Sequence, residues 1–296
     1  MSCIDERAGL PPAVWAWLTG HLGGQPALVR LSGIKQNGGC LRAAVGERGV
    51  IIKGAERREG AFFARVEALP VGLRRHLPLC FGTWQTEGGC WVAMEDVPHP
   101  LPRERWLADR EALAVLAALH SETWGKPAAV EDPFRPRWSD EMTEAVLALF
   151  GYDAPAVEEP LRRAQAAAQA LFAPRCWVQG DANPTNWRLR TDGTAVLVDW
   201  ERVGLATPAI DLAVTVPGVG SVDGADERRV AEGYRECWRA LGAPLPAELT
   251  NLSRQVVAAK RWNVAEFLAE NGSALPPDRL EGLLSGFRQA LLGLGL

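Results

Sequence analysis

The chain has 296 residues, of which 47% are hydrophobic and 23% charged, and this composition excludes a disordered or low-complexity chain. Its length favours two domains over a single core. The net charge is −4 without a basic stripe, and no apolar run reaches the roughly 18 residues of a membrane-spanning helix, so we expect neither a nucleic-acid nor a membrane partner.

The charges and the cysteines are distributed unevenly along the chain. Residues 1–97 carry 11 Lys and Arg against 9 Asp and Glu, whereas residues 98–296 carry 21 against 27. An acidic second part is compatible with a cationic small substrate, although a solvated acidic surface would give the same excess. The six cysteines lack CxxC spacing, and the N-terminus lacks the pattern of a signal peptide, so we expect reduced thiols and a cytoplasmic protein.

The first 97 residues predict an antiparallel sheet of about five strands with one crossing helix. A short helix is expected over 11–21, opened by Pro11 and Pro12. Apolar residues at a spacing of three to four predict a second helix over 58–69. A hairpin turn is expected at Glu47–Gly49. The strands predicted by alternation or β-branched residues cover 27–34, 41–45, 49–54, 79–84 and 90–96.

Helices dominate after the proline-rich connector that begins at Pro98. Short strands at 176–179, 186–190 and 194–200 interrupt them, with a turn at 191–193. The predicted helices cover 106–124, 139–150, 157–173, 224–241, 246–270 and 278–293. We therefore predict two domains, residues 1–97 and 98–296, with a hinge near residues 93–98.

Polar residues follow the short strands of the second domain. Asp181 lies on the loop after the first strand, Asn186 begins the second, and Asp199 ends the third. We expect one small sheet to bring these three residues to the same end. Their oxygens suit Mg²⁺, which takes one or two carboxylates from a protein and completes its shell with phosphate oxygens. The pattern predicts a site for magnesium and a nucleoside triphosphate.

A phosphoryl-transfer site also needs a cation on the phosphates. Lys53 is the candidate, because it interrupts the otherwise apolar strand VIIKG at residues 50–54. An acid in the following helix would hold the lysine. Glu59 is the first candidate for this acid, and Glu67 is the alternative.

The motifs resemble those of a known family. VQGDANPTNW (178–187) followed by VLVDWERVGLATPAIDLA (196–213) resembles the signature of aminoglycoside phosphotransferases and choline kinases, which are small-molecule kinases. The two-part Asp motif is highly specific. Weaker similarities occur upstream, in VIIKG (50–54), REGAFFARV (58–66), WVAMEDV (91–97) and LAALHSETW (116–124). The resemblance extends from about residue 28 to 215.

The resemblance implies a fold and a reaction. The fold would be α+β and bilobal, like that of protein kinases, with an N-terminal antiparallel sheet lobe and a mostly helical C-terminal lobe. The reaction would be the ATP-dependent, or GTP-dependent, phosphorylation of a small-molecule hydroxyl. Asp181 would be the catalytic base, and Asn186 and Asp199 would hold Mg²⁺. Lys53, oriented by Glu59, would bind the α- and β-phosphates.

The resemblance also assigns supporting roles. The backbone around Met94, Glu95 and Asp96 would hydrogen-bond the adenine, and the loop Ser32–Cys40 would cover the phosphates. Asp211 would brace the catalytic loop through backbone amides. This sequence departs from the family in having Gln179 where the family has His, and in lacking a GxGxxG motif in the 32–40 loop.

The identity of the acceptor stays open at this stage. An antibiotic of the aminoglycoside, macrolide or nucleoside type is one candidate. A metabolite such as choline, a sugar or homoserine is the rival. Gln179 motivates a third hypothesis, a catalytically inactive nucleotide-binding regulator.

Overall fold

The computed structural model describes residues 9–31, 39–87 and 89–293. The chain divides into two compact units. Unit 1 comprises Met1–Pro100, Ala129–Asp132 and Arg188–Val203, and unit 2 comprises Leu101–Ala128, Pro133–Trp187 and Gly204–Leu296. The segment 188–203 therefore packs with the N-terminal part of the chain. The division into two functional lobes at residue 97 stays a prediction.

The described residues form both strands and helices. The strands are β1 (Ala27–Leu31), β2 (Cys40–Val45), β3 (Arg48–Ala55), β4 (Cys80–Thr86), β5 (Gly89–Glu95), β6 (His99–Pro100), β7 (Cys176–Val178), β8 (Trp187–Leu189), β9 (Ala195–Leu197) and β10 (Gly204–Ala206). The helices are α1 (Pro12–Leu22), α2 (Arg57–Phe63), α3 (Val71–Arg74), α4 (Arg110–Thr123), α5 (Asp140–Phe150), α6 (Ala154–Ala168), α7 (Ala209–Val214), α8 (Ala225–Ala240), α9 (Leu252–Asn271) and α10 (Pro277–Gly293).

Unit 1 is built on an antiparallel sheet whose strand order, over the described residues, is β1-β2-β3-β5-β4. Val50 and Ile52 of the central strand β3 are buried in a core that also contains apolar residues of α1. Because side chains alternate along a strand, Lys53 lies on the opposite face of the sheet. This sheet, followed by helices, confirms the predicted α+β class.

Two local predictions for unit 1 are wrong. The helix expected over 58–69 ends at Phe63, and Leu69 is extended (ψ 150°) because the following Pro70 disfavours a helical conformation. Leu69 is nevertheless buried, so its apolar spacing reflects the core and not a helix. The hairpin turn expected at Glu47–Gly49 occupies residues 46 and 47, where Gly46 supplies a φ of 60°.

Unit 2 is mostly helical, as predicted, and α9 is its central helix. Residues on almost every side of α9 are buried, including Trp262 and Leu268. Such a helix must be surrounded by neighbours, and α9 contacts α5, α6, α7, α8 and α10. Two N-caps match their sequences, because Asp109 accepts a hydrogen bond from the amide of Ala112 and Ser139 from that of Met142.

The short strands of residues 176–200 do not form one sheet, and that expectation is wrong. β7 pairs antiparallel with β10, with Val178 opposite Gly204. β8 lies instead between β6 and β9 in a three-stranded sheet of the described residues. The strands β6 and β10 were not predicted from the sequence, because strands of two and three residues are too short to show an alternating pattern.

Two further observations concern membrane-spanning helices and the cysteine thiols. No helix within residues 9–31, 39–87 and 89–293 is long and apolar enough to cross a membrane. The cysteines at positions 40, 80, 90, 176 and 237 carry free thiols.

Candidate active site

Unit 1 gathers a cluster of charged residues around Lys53. The Lys53 ammonium pairs with Glu59, at 2.9 Å from Nζ to Oε2, and with the carboxylate of Asp199. Glu201 lies further away, with Oε2 3.9 Å from Nζ. The strand β3, the helix α2 and the segment after β9 each contribute to this cluster. The structure thus brings together the three residues Lys53, Glu59 and Asp199.

Glu59 is held in place from two directions. It lies in the first turn of α2 and is fully buried, and its Oε1 accepts a hydrogen bond from the amide of Trp200 at 3.2 Å. The ring of Trp200 stacks on Phe62 with centroids 4.3 Å apart. The alternative acid, Glu67, is exposed and pairs with Arg74. Of the two acids, Glu59 is therefore the partner of Lys53.

The charge state of Lys53 follows from this environment. Burial lowers the pKa of the ammonium, but the carboxylates of Glu59 and Asp199 raise it by more, so the pKa of Lys53 lies above its ordinary value. Lys53 consequently stays positively charged at neutral pH. A permanently charged lysine can bind phosphate oxygens if these oxygens replace one of its two carboxylate partners.

Asp199 has an unusual backbone conformation. Its φ of 61° and ψ of 67° place it in the left-handed region, which non-glycine residues seldom adopt. Aspartate tolerates this region better than most residues do. The side chain of Asp199 is 36% exposed, so the carboxylate is accessible to a ligand.

The segment 94–96, expected to hydrogen-bond the adenine, uses its side chains for other contacts. Met94 is buried, Glu95 pairs with Arg190, and Asp96 accepts a hydrogen bond from Nε of Arg42 at 2.5 Å. The amide of Glu95 donates to the carbonyl of Leu79 at 2.9 Å. Any contact of this segment with a base must therefore come from its other backbone groups.

In unit 2, the loop after β7 orders Asp181 and Asn186 together. The amide nitrogen of the Asn186 side chain donates to the carbonyl of Asp181 at 2.8 Å and to its Oδ2 at 3.1 Å. The backbone amide of Asp181 donates to Oε1 of Gln179 at 2.7 Å. Gln179 is completely buried. Gln179, which stands where the family that the motifs resemble has a His, therefore holds the loop that carries Asp181.

Asp211 braces the same loop from α7. Its two carboxylate oxygens accept the backbone amides of Gln179 at 2.9 Å and Gly180 at 2.7 Å. The buried His120 contacts Asp211 through Nε2 at 3.1 Å and Tyr234 through Nδ1 at 3.0 Å. This arrangement matches the bracing role that the resemblance implied for Asp211. The contacts of His120 with Asp211 and Tyr234 indicate that His120 has a structural role.

Asn186 in unit 2 and Asp199 in unit 1 each offer an oxygen of the kind that binds Mg²⁺. Because the Asn186 nitrogen donates to Asp181, its Oδ1 is the atom that would bind a cation. No group of three or more His, Cys, Asp or Glu within the described residues could hold a metal ion by itself. Amide and carboxylate oxygens are ligands of the kind that Mg²⁺ takes in small number from proteins, with phosphate oxygens completing its shell.

The loop expected to cover the phosphates is described only in part, because its residues 32–38 lie outside the described residues. Conversely, sequence reasoning missed Arg188 and Arg190, which contact residues 95–98 from β8 and the residue that follows it. Their spacing of two residues in the short predicted strand NWRLR was a signal, because it puts both charges on one face of the strand.

Comparison with known proteins gives a family match. The model of a family described as phosphotransferase enzymes matches residues 55–249. This range includes Glu59, Asp181, Asn186, Asp199 and Asp211. A search among curated protein sequences found no match to the chain.

Several solved structures share the fold over nearly the whole chain. Spectinomycin phosphotransferase in complex with ADP and spectinomycin is 14% identical, with a TM-score of 0.59 over 94% of this chain and 92% of its own. The choline kinase LicA from Streptococcus pneumoniae is 12% identical, with a TM-score of 0.61 over 95% and 98%. A microcompartment-associated aminopropanol kinase is 12% identical, with a TM-score of 0.60 over 94% and 94%. These similarities confirm the predicted kinase-like fold.

Proposed function

Because the chain belongs to the phosphotransferase enzyme family, we propose that it transfers the γ-phosphoryl group of ATP to a hydroxyl of a small molecule. The membership confirms the resemblance that the motifs indicated and the prediction that the chain is a small-molecule phosphotransferase. The observation that supports the detailed reaction best is the pairing of Lys53 with Glu59 and Asp199, together with the ordering of Asp181 by Asn186.

Each group of the candidate site has a part in this reaction. Asp181 orients the acceptor hydroxyl and takes its proton as the new O–P bond forms and the bond to ADP breaks. Lys53, positioned by Glu59, binds the α- and β-phosphate oxygens. Asn186 and Asp199 would hold Mg²⁺, which when bound neutralises the phosphate charge. Most of the rate enhancement would come from positioning and electrostatics.

The nucleotide and the acceptor belong to the proposal. The structure of spectinomycin phosphotransferase contains ADP, which supports an adenine nucleotide, with GTP as the alternative. The same structure contains spectinomycin, which supports an antibiotic acceptor, and we keep the aminoglycoside, macrolide and nucleoside types as candidates. A metabolite acceptor is the second candidate, because choline kinase and aminopropanol kinase match the fold equally well.

A coupled assay of ADP release over a panel of acceptors tests this function. The panel combines aminoglycosides, macrolides and nucleosides with choline, sugars, aminopropanol and homoserine, and each acceptor is assayed with ATP and with GTP. We expect at least one acceptor to stimulate nucleoside diphosphate release in a magnesium-dependent manner. Tight nucleotide binding without turnover on any acceptor would contradict the proposal and favour a regulator. Survival of bacteria that express the chain on a range of antibiotics separates the two acceptor classes.

A further inference from the structure

A pair of arginines connects the hairpin β8–β9 with the segment at the end of β5. Arg188 donates from Nε to the carbonyl of Val97 at 3.1 Å and from Nη2 to that of Pro98 at 2.9 Å. Arg190 lies two residues further, on the same face. All of these residues belong to unit 1.

Arg190 makes a bidentate pair with Glu95. Its Nε lies 2.6 Å from Oε1, and its Nη2 lies 2.7 Å from Oε2. The guanidinium also donates to the carbonyl of Arg75 and, at 3.0 Å, to that of Leu77. The two side chains are only 20% and 19% exposed. Two parallel hydrogen bonds fix the orientation of both partners, which a single contact between charges would not do.

The Glu95 carboxylate has a second donor that fixes it further. The amide of Leu79 donates to Oε2 at 3.1 Å. Burial raises the pKa of Glu95, but the contacts with Arg190 and Leu79 lower it by more, so the pKa of the carboxyl lies below its ordinary value. The pair is thus fully charged at neutral pH.

The same hairpin leads to Asp199. β9 is held by His76, whose carbonyl accepts the amide of Leu197 at 2.9 Å and whose Nδ1 lies 2.8 Å from the carbonyl of Ala195. Asp199 follows two residues after Leu197, and its neighbour Trp200 is fixed by Glu59. Arg190 binds Glu95 and the carbonyl of Arg75, the neighbour of His76, so hydrogen bonds and the short covalent segment 197–199 connect Glu95 with Asp199.

We propose that the Arg190–Glu95 pair is a positioning device that fixes the segment 94–96 relative to the Asp199 hairpin. This inference rests on the proposed function and on the expected contact of the 94–96 backbone with the base, with Asp199 binding the metal on the phosphates of the same nucleotide. A nucleotide has a nearly fixed distance from base to phosphates, so both sites must keep their separation for the metal to strengthen binding. In this proposal Arg190 acts through Glu95, not by its own contact with nucleotide or acceptor.

The test measures how much magnesium strengthens ADP binding. Calorimetry gives the Kd of ADP with and without Mg²⁺ for the wild type, Arg190→Met, Glu95→Gln and the double variant. We expect each single variant to reduce the Mg²⁺-dependent gain in affinity by about tenfold, because a charge-assisted bidentate contact is lost. The double variant should be no worse than either single variant, since both remove the same contact.

Controls separate positioning from stability. Arg162→Met removes an arginine that pairs with Glu144 and Glu158 on the surface of unit 2, and it should leave the gain unchanged. Arg190→Lys keeps the charge without the bidentate geometry and should lose about threefold, which provides a measurement if Arg190→Met does not fold. A lower Tm with an unchanged magnesium gain in the Arg190 and Glu95 variants would overturn the inference. A wild type that does not bind ADP with Mg²⁺ would overturn the proposed function as well.

Discussion

Lys53 and the fully buried Glu59 form an ion pair, with Nζ 2.9 Å from Oε2, inside unit 1. Glu59 also accepts the amide of Trp200, the residue after Asp199. One carboxylate therefore sets both the direction of the lysine and the position of the segment that carries the proposed metal ligand.

Glu59→Gln should lower kcat/KM for the nucleotide. The amide keeps the shape of the side chain but removes the charge that orients Lys53, so we expect a loss of roughly 10- to 100-fold, with little change in the acceptor KM. Steady-state kinetics with each substrate varied in turn give both values. The matched control is Glu67→Gln, because Glu67 is exposed and pairs with Arg74 instead. Equal effects of the two substitutions would mean that Glu59 does not orient Lys53.

Asp199→Asn should remove the magnesium dependence of nucleotide binding. A neutral amide is a poorer ligand for Mg²⁺ than a carboxylate, so the Kd of ADP with Mg²⁺ should approach the value without it. Titration of ADP at several magnesium concentrations measures this dependence. Asp192→Asn, in the exposed turn between β8 and β9, serves as the control. Wild-type magnesium dependence in Asp199→Asn would show that the metal ligands are assigned wrongly.

Asp211→Asn should destabilise the protein and disturb the loop that carries Asp181. The substitution replaces one of the two buried carboxylate oxygens by an NH₂ group. This donor then faces either a backbone N–H or His120, where the carboxylate oxygen accepted a hydrogen bond. We expect a loss of about 3 kcal/mol in the free energy of unfolding, measured by urea denaturation. Glu232→Gln, at an exposed position of α8, removes a negative charge without this effect. An unchanged free energy of unfolding in Asp211→Asn would contradict the bracing role.

Strong local patterns allowed much of the fold and of the candidate site to be predicted. The central strand β3 is rich in β-branched residues, and the helices of unit 2 have clear apolar spacing. The resemblance of the motifs that contain Asp181, Asn186, Asp199 and Asp211 implied their proposed roles, and the structure pairs Asp181 with Asn186 and Asp199 with Lys53.

The remaining features depend on tertiary contacts that leave little trace in sequence. β10 forms because Gly204 and its neighbours pair with β7. Its three residues are too few to show the alternation of polar and apolar residues that predicts a strand. The pairing of Arg190 with Glu95 joins residues 95 positions apart. The end of α2 at Phe63 could not be seen, because Leu69 is buried whether or not the helix continues.

The free energy of unfolding should depend on pH through Lys260 on α9. Burial lowers the pKa of Lys260 to about 8, while Glu227 opposes this effect, and its ordinary value is 10.5. Between these two values the unfolded chain binds more protons than the folded one, so the contribution of Lys260 to stability rises with pH. The rise is complete at about pH 10.5 and amounts to about 3 kcal/mol.

A comparison of the wild type with Lys260→Met isolates this contribution, because groups that do not interact with Lys260 titrate equally in both proteins. Urea denaturation at pH 7, 8, 9 and 10 should show the stability of the wild type increasing relative to the variant above pH 8. A difference between the two proteins that stays constant from pH 7 to 10 would mean that Lys260 keeps its proton in the folded state.

The central claim is that Asp181 accepts the proton of an acceptor hydroxyl during phosphoryl transfer. The most direct measurement is acceptor-stimulated ADP release by Asp181→Asn, with the Kd of ADP and Mg²⁺ determined on the same preparation. We predict that the rate falls by at least about 100-fold, whereas the Kd stays within about twofold of the wild type because nucleotide binding does not depend on this base. Release at the wild-type rate in Asp181→Asn would contradict the account.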